Sequence, residues 1–261
     1  MIDRFSLKAL HYASQTVPGS QVFFQHAFGT WFEFNYYAFL ARRGMEVVLF
    51  DVGMDAPGSF GDSLLRELGA RGCVRMRQPL TDILRAEGVD PLEVSAIFVS
   101  HFHADHVLNL RAFANAKIYI SARAWQLLEA ARKAYPAMVS DPLYPKHILD
   151  FVRDLINSRV FLLEDGDTPV AGIRIRHLGG HSIDMTGYEV ETTATRVIMP
   201  MDTIWTYENL TRNHPPGAAS DILQCFAAMD WVRNSGALMV PGHDPLLLDH
   251  HPAGVIAPWR T

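Results

Sequence analysis

Between His101 and His106 the chain reads His-Phe-His-Ala-Asp-His, three imidazoles and a carboxylate in one short segment. These nitrogen and oxygen donors suit zinc and its first-row neighbours, and a solvated histidine-rich turn is the poorer explanation of such a density. His101 and His103 alternate along extended backbone and can meet one ion, whereas Asp105 and His106 open a helix and reach a second position beside it. Two divalent ions are therefore expected. Three single residues complete the set: Asp202, whose carboxylate can span both ions, His181 for the first ion and His243 for the second. Gly180 and Gly242 precede these two histidines and let the backbone approach closely. Two ions can acidify a shared water to near neutrality, so the expected nucleophile is a bridging hydroxide, with one metal stabilising the oxyanion. Asp105 is expected to ligate one ion, orient the hydroxide and then carry a proton toward the leaving group. No Gly-x-Ser-x-Gly elbow occurs, so a serine nucleophile has no support.

The elements that must position these residues can be read from periodicity. Apolar or β-branched runs predict strands over 46–50, 94–99, 117–120, 159–163, 173–178, 195–199 and 237–240. Helical patterns are expected over 63–68, 80–87, 104–113, 122–134, 145–156 and 219–234. The class is α/β. Each donor cluster lies just beyond an apolar run: Val-Ser-Ala-Ile-Phe-Val-Ser leads into His101, and the 173–178, 195–199 and 237–240 runs lead into His181, Asp202 and His243. Strand ends are where α/β proteins gather their site residues.

Composition limits the alternatives. No repeat or linker divides the chain, so one domain over 1–261 is expected. Hydrophobic residues at 49% and charged residues at 20% fit an ordinary folded enzyme. A net charge of -5, from 23 Lys plus Arg against 28 Asp plus Glu, offers no excess to neutralise a phosphate backbone and argues against nucleic acid. No long apolar run suggests a membrane span, and the N-terminus does not read as a signal, so a cytoplasmic location is expected. Cys73 and Cys225 stand apart from each other and from any ligand spacing, and both read as buried thiols.

In the seven donors and their order the sequence resembles the metallo-β-lactamase superfamily, whose dinuclear hydrolases carry H-x-H-x-D-H, then a His, a bridging Asp and a final His. The likeness extends from Leu-Phe-Asp-Val-Gly at 49–53 to Pro-Gly-His-Asp at 241–244. It implies an αββα sandwich, two mixed β-sheets flanked by helices. Periodicity alone leaves a parallel doubly wound sheet equally open. Zinc is the expected metal, with manganese, iron or cobalt suited to the same donors.

The C-terminal third is most similar to the N-acyl homoserine lactonases, in which the bridging Asp is followed by an aromatic segment, a Glu-Asn pair, a helix and Gly-His-Asp. Here that stretch carries Asp202, Trp205, Tyr207, Glu208 and Asn209, then Gly242, His243 and Asp244. The lactonase tyrosine three residues after the bridging Asp donates to the substrate carbonyl. Trp205 stands at that position, and its indole N–H can donate but cannot act as an acid. Tyr207 is the second candidate for the role. Val107 to Leu110, where the family has small residues, implies a more apolar site floor.

The resemblance implies a dinuclear metal-dependent hydrolase that opens a lactone or cleaves a carboxylic ester of a hydrophobic or aromatic small molecule. The alternative is an acyl thioesterase similar to glyoxalase II, and from another class a non-catalytic metal-binding scaffold. Nine aromatics between Phe23 and Phe39 read as a strand pair packing the core, or else as a loop near 28–32 that lines an apolar pocket. The segment 130–151, rich in Pro and aromatics, is a candidate lid or homodimer contact. His214, in Asn-His-Pro-Pro-Gly, reads as a plain loop residue or else as part of that apolar pocket, and His11, His26, His147, His177, His250 and His251 lack ligand spacing and read as ordinary.

Overall fold

Two thirteen-residue strands, β1 (Ser6–Pro18) and β2 (Trp31–Arg43), pair antiparallel in the computed structural model of the chain. The structure describes residues 4–54, 71–141 and 143–258, without the side chains of 71–73. The aromatics of β2 divide between its faces as strand alternation requires: Phe34, Tyr36, Ala38 and Leu40 enter one core, Tyr37, Phe39 and Ala41 another. The part of the aromatic stretch from Phe34 to Phe39 is therefore core of a strand pair.

From β2 the sheet continues antiparallel into β3 (Glu46–Phe50), while β4 (Arg71–Met76) pairs with β1. Three strands then add in parallel: β5 (Ala96–Phe98), β6 (Lys117–Ser121) and β7 (Val160–Leu163). A second sheet takes β8 (Ile173–His177), β9 (Thr186–Glu191) and β10 (Arg196–Met199) antiparallel, with β11 (Leu238–Met239) parallel to β10. The chain closes with β12 (Val255–Ala257), which returns to the first sheet beside β1. Among the described residues the sheets hold eight and four strands. Both are mixed.

Each sheet buries one face against the other and the opposite face against helices. Between the sheets, Phe50, Phe98 and Tyr188 pack with ring centroids 5.0 to 5.6 Å apart, and each such buried ring contributes about 1.5–3 kcal/mol. On the outer face of the large sheet lie the helices Leu80–Ala86, Ala122–Ala134 and Lys146–Asp154, through Leu84, Trp125, Leu128, Ile148 and Val152. The helix Ile222–Ser235 covers the small sheet through Met229 and Val232. Asp221 caps this helix by accepting from the Leu223 and Gln224 amides. The layers are α, β, β, α, as the resemblance implied, and the parallel doubly wound alternative is excluded.

One expected element is corrected. The helix expected over 104–113 stops after one turn, Ala104–Val107, and a separate 3-10 turn covers Leu110–Ala112. A continuing helix would spend the His106 carbonyl on the Leu110 amide. Val52 N–H takes that carbonyl instead at 2.9 Å, and Asn109 turns its amide onto Val52 O and Met54 O. The helical pattern expected over 63–68 lies outside the described residues, as does the side chain of Cys73. Cys225 is a buried free thiol, pushed up to about 12 by burial and then by Asp221.

Candidate metal centre

Four strand ends deliver the seven donors to one edge of the sandwich. β5 runs through Val99 and Ser100 into His101, β8 is followed by His181, β10 by Asp202 and β11 by His243. Gly180 takes φ +84°, and a Cβ there would meet Cys225 Sγ at 2.8 Å. A Cβ on Gly242 would meet Met201 O at 2.9 Å and Asp202 Oδ1 at 3.2 Å. Met201 itself sits at φ +50°, a left-handed conformation that costs a non-glycine residue about 1–3 kcal/mol and that sites tolerate where they must aim a neighbour.

The donor atoms fall into two groups. Those of His101, His103 and His181 lie within 4.8 Å of one another, as do those of Asp105, His106, Asp202 and His243. His103 Nδ1 faces His181 Nε2 at 3.0 Å. Asp202 stands between the groups. Its Oδ1 lies 2.9 Å from His243 Nε2 and 3.4 Å from His106 Nε2, while its Oδ2 lies 3.6 Å from His181 Nε2 and 4.0 Å from His101 Nε2.

A second layer of contacts fixes which nitrogen each ring presents. His106 Nδ1 lies 2.7 Å from Asp51 Oδ2, and His243 Nδ1 2.8 Å from Asn35 O. His181 Nδ1 lies 2.6 Å from Ala218 O. Ser100 donates to Asp51 at 2.7 Å and contacts His101 Nδ1 at 3.0 Å. Four rings thus turn Nε2 toward the cluster. Asp51 takes φ +58° at the end of β3, and its carboxylate serves His106 directly and His101 through Ser100.

The electrostatics ask for a cation. Burial, reinforced by neighbouring imidazoles, holds His101 well below the ordinary histidine range and His103 down at about 3. Burial works against charge on His106 too, but Asp105, Asp202 and Asp51 outweigh it and hold this imidazole well above its ordinary value. Burial would raise Asp202, yet His243 and His106 keep it well below the carboxylate range. His101 Nε2 and His106 Nε2 are buried without a hydrogen-bond partner. Leaving such an atom unsatisfied costs about 1–3 kcal/mol. Divalent ions would satisfy both nitrogens and the carboxylates together, so the residues fit the metal their chemistry suggests.

The family model of the metallo-beta-lactamase superfamily matches residues 31–251. The chain belongs to that superfamily. A search of curated proteins finds no match. Among solved structures, a variant of B. thuringiensis AiiA with N-decanoyl-L-homoserine bound at the active site superposes with TM-score 0.76 at 19% identity, covering 96% of this chain and 97% of that one. AidC, a dizinc quorum-quenching lactonase in complex with a homoserine product, gives 0.70 at 16% identity, with 92% and 88% covered. The hydrolase AbOPH gives 0.69 at 16%, with 98% and 91% covered. At these identities the likeness carries the fold. With the family and the donor set together, the chain is a metal-dependent hydrolase with a divalent-metal centre in its His/Asp cluster.

Beside this metallo-beta-lactamase centre lies a cavity of about 290 Å³. His103, Asp105, His181 and Asp202 form its floor, and Val17, Phe34, Met54, Met138, Leu143 and Ile183 much of its wall. Among the described residues lining it there is no Lys or Arg. Trp205 lines the cavity as well; it is 5% exposed, and its Nε1 is buried without a partner. Tyr207 is not brought there: its ring stacks on His250 at 4.7 Å, and the capping turn that starts its helix, Tyr207–Thr211, directs it away. The loop near 28–32 does not line the cavity either, and Phe28 is 73% exposed. Phe34 and Tyr36 from β2 take that place. Asp51, Ser100 and the carbonyls of Asn35 and Ala218 were not among the sequence candidates. A serine next to His101 and an aspartate ending a strand were the available signals.

Proposed function

We propose that the chain is a dinuclear hydrolase that opens a lactone or cleaves a carboxylic ester of an uncharged, largely apolar small molecule. The observation that carries this reading is the placement of Asp202, with one carboxylate oxygen toward each group of imidazoles. His101, His103 and His181 would hold one ion, Asp105, His106 and His243 the other, and Asp202 both, with zinc the best match to the donors. Ions bound there supply Lewis acidity and a water acidified to near neutrality.

The side chains around them divide the remaining work. Asp105 is the most open of the carboxylates, its side chain 23% exposed, and it reaches the cavity, so it can accept a proton from the nucleophile and hand it to the leaving oxygen. Tyr12 steadies the Asp105 backbone by donating to its carbonyl at 2.7 Å. Trp205 is the candidate donor to the substrate carbonyl, once a turn of the indole brings its buried N–H to the cavity. Because an indole cannot act as an acid, protonation of the leaving group falls to Asp105. The apolar wall, with no Lys or Arg among its described residues, favours a neutral substrate over the coenzyme A or glutathione thioesters of the alternative reading.

Elemental analysis of purified protein, paired with hydrolysis of lactones, aryl esters and acyl thioesters, tests this. The expected result is about two ions per chain, with lactone or ester turnover that Asp202→Ala abolishes. Protein that binds metal yet turns over none of these substrates would leave a scaffold. Turnover unchanged in Asp202→Ala would remove the bridging role.

A further inference from the structure

One wall of the cavity is built from Met138, Leu143 and Tyr144, and it is fastened to the metal centre at two points. Ala104 N–H donates to Leu143 O at 2.9 Å. The Tyr144 hydroxyl donates to Asp184 Oδ1 at 3.4 Å, long for such a pair, while its ring stands edge-on to His103 at 4.8 Å. The other oxygen of Asp184 accepts the amide of Phe102, the residue between His101 and His103, at 2.8 Å. Asp184 is 1% exposed and Tyr144 5%, and Asp184 belongs to neither group of prospective ligands. A carboxylate is kept at such a position only where hydrogen bonds offset its desolvation. Here those bonds reach two places at once, the backbone between two donors and the wall the substrate would touch.

We propose that Asp184 is a positioning residue that couples the substrate wall to the His101–His103 side of the metal centre, with Tyr144 as the specificity-determining side chain it holds. Through Phe102 it fixes the spacing of His101 and His103. Through Tyr144 it sets how far Met138 and Leu143 stand from the centre, and hence how large an apolar group fits. The kinetic consequence rests on the hydrolase reading above, whereas the coupling itself does not.

The test compares Tyr144→Phe, Asp184→Asn and Asp184→Ala with wild type, all zinc-loaded. Hydrogen exchange is followed in the peptides spanning 136–144 and 100–106, and zinc affinity by competition with a chromophoric chelator. Tyr144→Phe is expected to speed exchange in the wall peptide several-fold and leave the motif peptide and zinc affinity as in wild type. Asp184→Asn keeps an acceptor for Phe102 and can donate its amide to the Tyr144 oxygen, so it should leave both peptides and zinc affinity near wild type. Asp184→Ala should loosen both peptides and weaken zinc about tenfold, the lower end of what losing an outer-layer partner costs. On p-nitrophenyl esters and alkyl γ-lactones, Tyr144→Phe should change the kcat/KM ratio between octyl and methyl substrates several-fold. Wild-type exchange in the wall peptide of Tyr144→Phe overturns the coupling, as does an Asp184→Ala protein with unaltered exchange and affinity. Should Asp184→Ala fail to fold, the other two variants decide. Wild type that hydrolyses no ester or lactone defeats the hydrolase reading alone, since exchange still reports on the coupling.

Discussion

Each of the two groups of donors takes two residues from the motif at 101–106, and Asp202 stands between them, yet their chemistry differs. On one side stand three imidazoles, His101, His103 and His181; on the other, two imidazoles with Asp105, Asp202 and, behind His106, Asp51. An additional carboxylate near a cation is worth about 4 kcal/mol per pair of unit charges at 4 Å and an effective dielectric of 20. The carboxylate-rich side should therefore bind its ion more tightly, and the imidazole side should lose its ion first to a chelator. Ligand identity thus grades the two halves of the centre.

The largest expected effect on this comparison comes from Asp51→Ala. Asp51 bonds His106 directly and reaches His101 only through Ser100. Loss of such a partner costs about 10–100-fold in metal affinity, and the tighter ion should bear most of it. A competition titration that resolves two binding constants measures this. Equal weakening of both would mean that the Ser100 relay is as strong as the direct bond, and the two sides would no longer be distinct.

Next in size is the response to pH. Carboxylates hold His106 well above its ordinary value, so in the ion-free protein it carries a proton at neutral pH that an incoming ion must displace. Apparent affinity on that side should rise about tenfold per pH unit across the neutral range, levelling off once the raised pKa is passed. His101 lies well below the ordinary range and His103 at about 3, so both are already neutral and the imidazole side should show no such slope from them. Titrations at three pH values suffice, and equal slopes would break the comparison.

How far the site could be read in advance follows the same division between side chains and their surroundings. The motif from His101 to His106 is local, and its donors needed only neighbouring residues to be recognised. His181, Asp202 and His243 were placed by the strand ends before them. Their orienting partners were not legible, because Asn35 O and Ala218 O are backbone oxygens with no residue signature, and Asp51 meets His106 across 55 positions of chain. In the fold, β3 and the helix Ala122–Ala134 occupy the spans their periodicity predicts. β1 escaped because it is buried on both faces and its register shifts between His11 and Ala13, which interrupts the alternation that marks a strand. Tyr207 was a candidate by sequence distance from Asp202, but a helix start turned it away.

The smallest effect expected is that of Trp205→Phe, and it bears on what lies between the two sides. The indole packs on Phe34 at 4.8 Å and stands 5.7 Å from His181 and 5.9 Å from His243, one donor from each group. Phenylalanine keeps much of that packing and removes the unpartnered N–H. If the N–H serves the substrate carbonyl, its loss removes one neutral hydrogen bond, about 0.5–1.5 kcal/mol, or a ~2–10-fold fall in kcat/KM. Metal content should not change. Steady-state kinetics with metal analysis on the same samples separates the cases: a kinetic loss at full occupancy assigns the N–H to the substrate, whereas a parallel loss of metal makes Trp205 a packing residue for His181 and His243. Wild-type rates would leave carbonyl polarisation to the ions alone, with the buried N–H as an unrecovered desolvation cost.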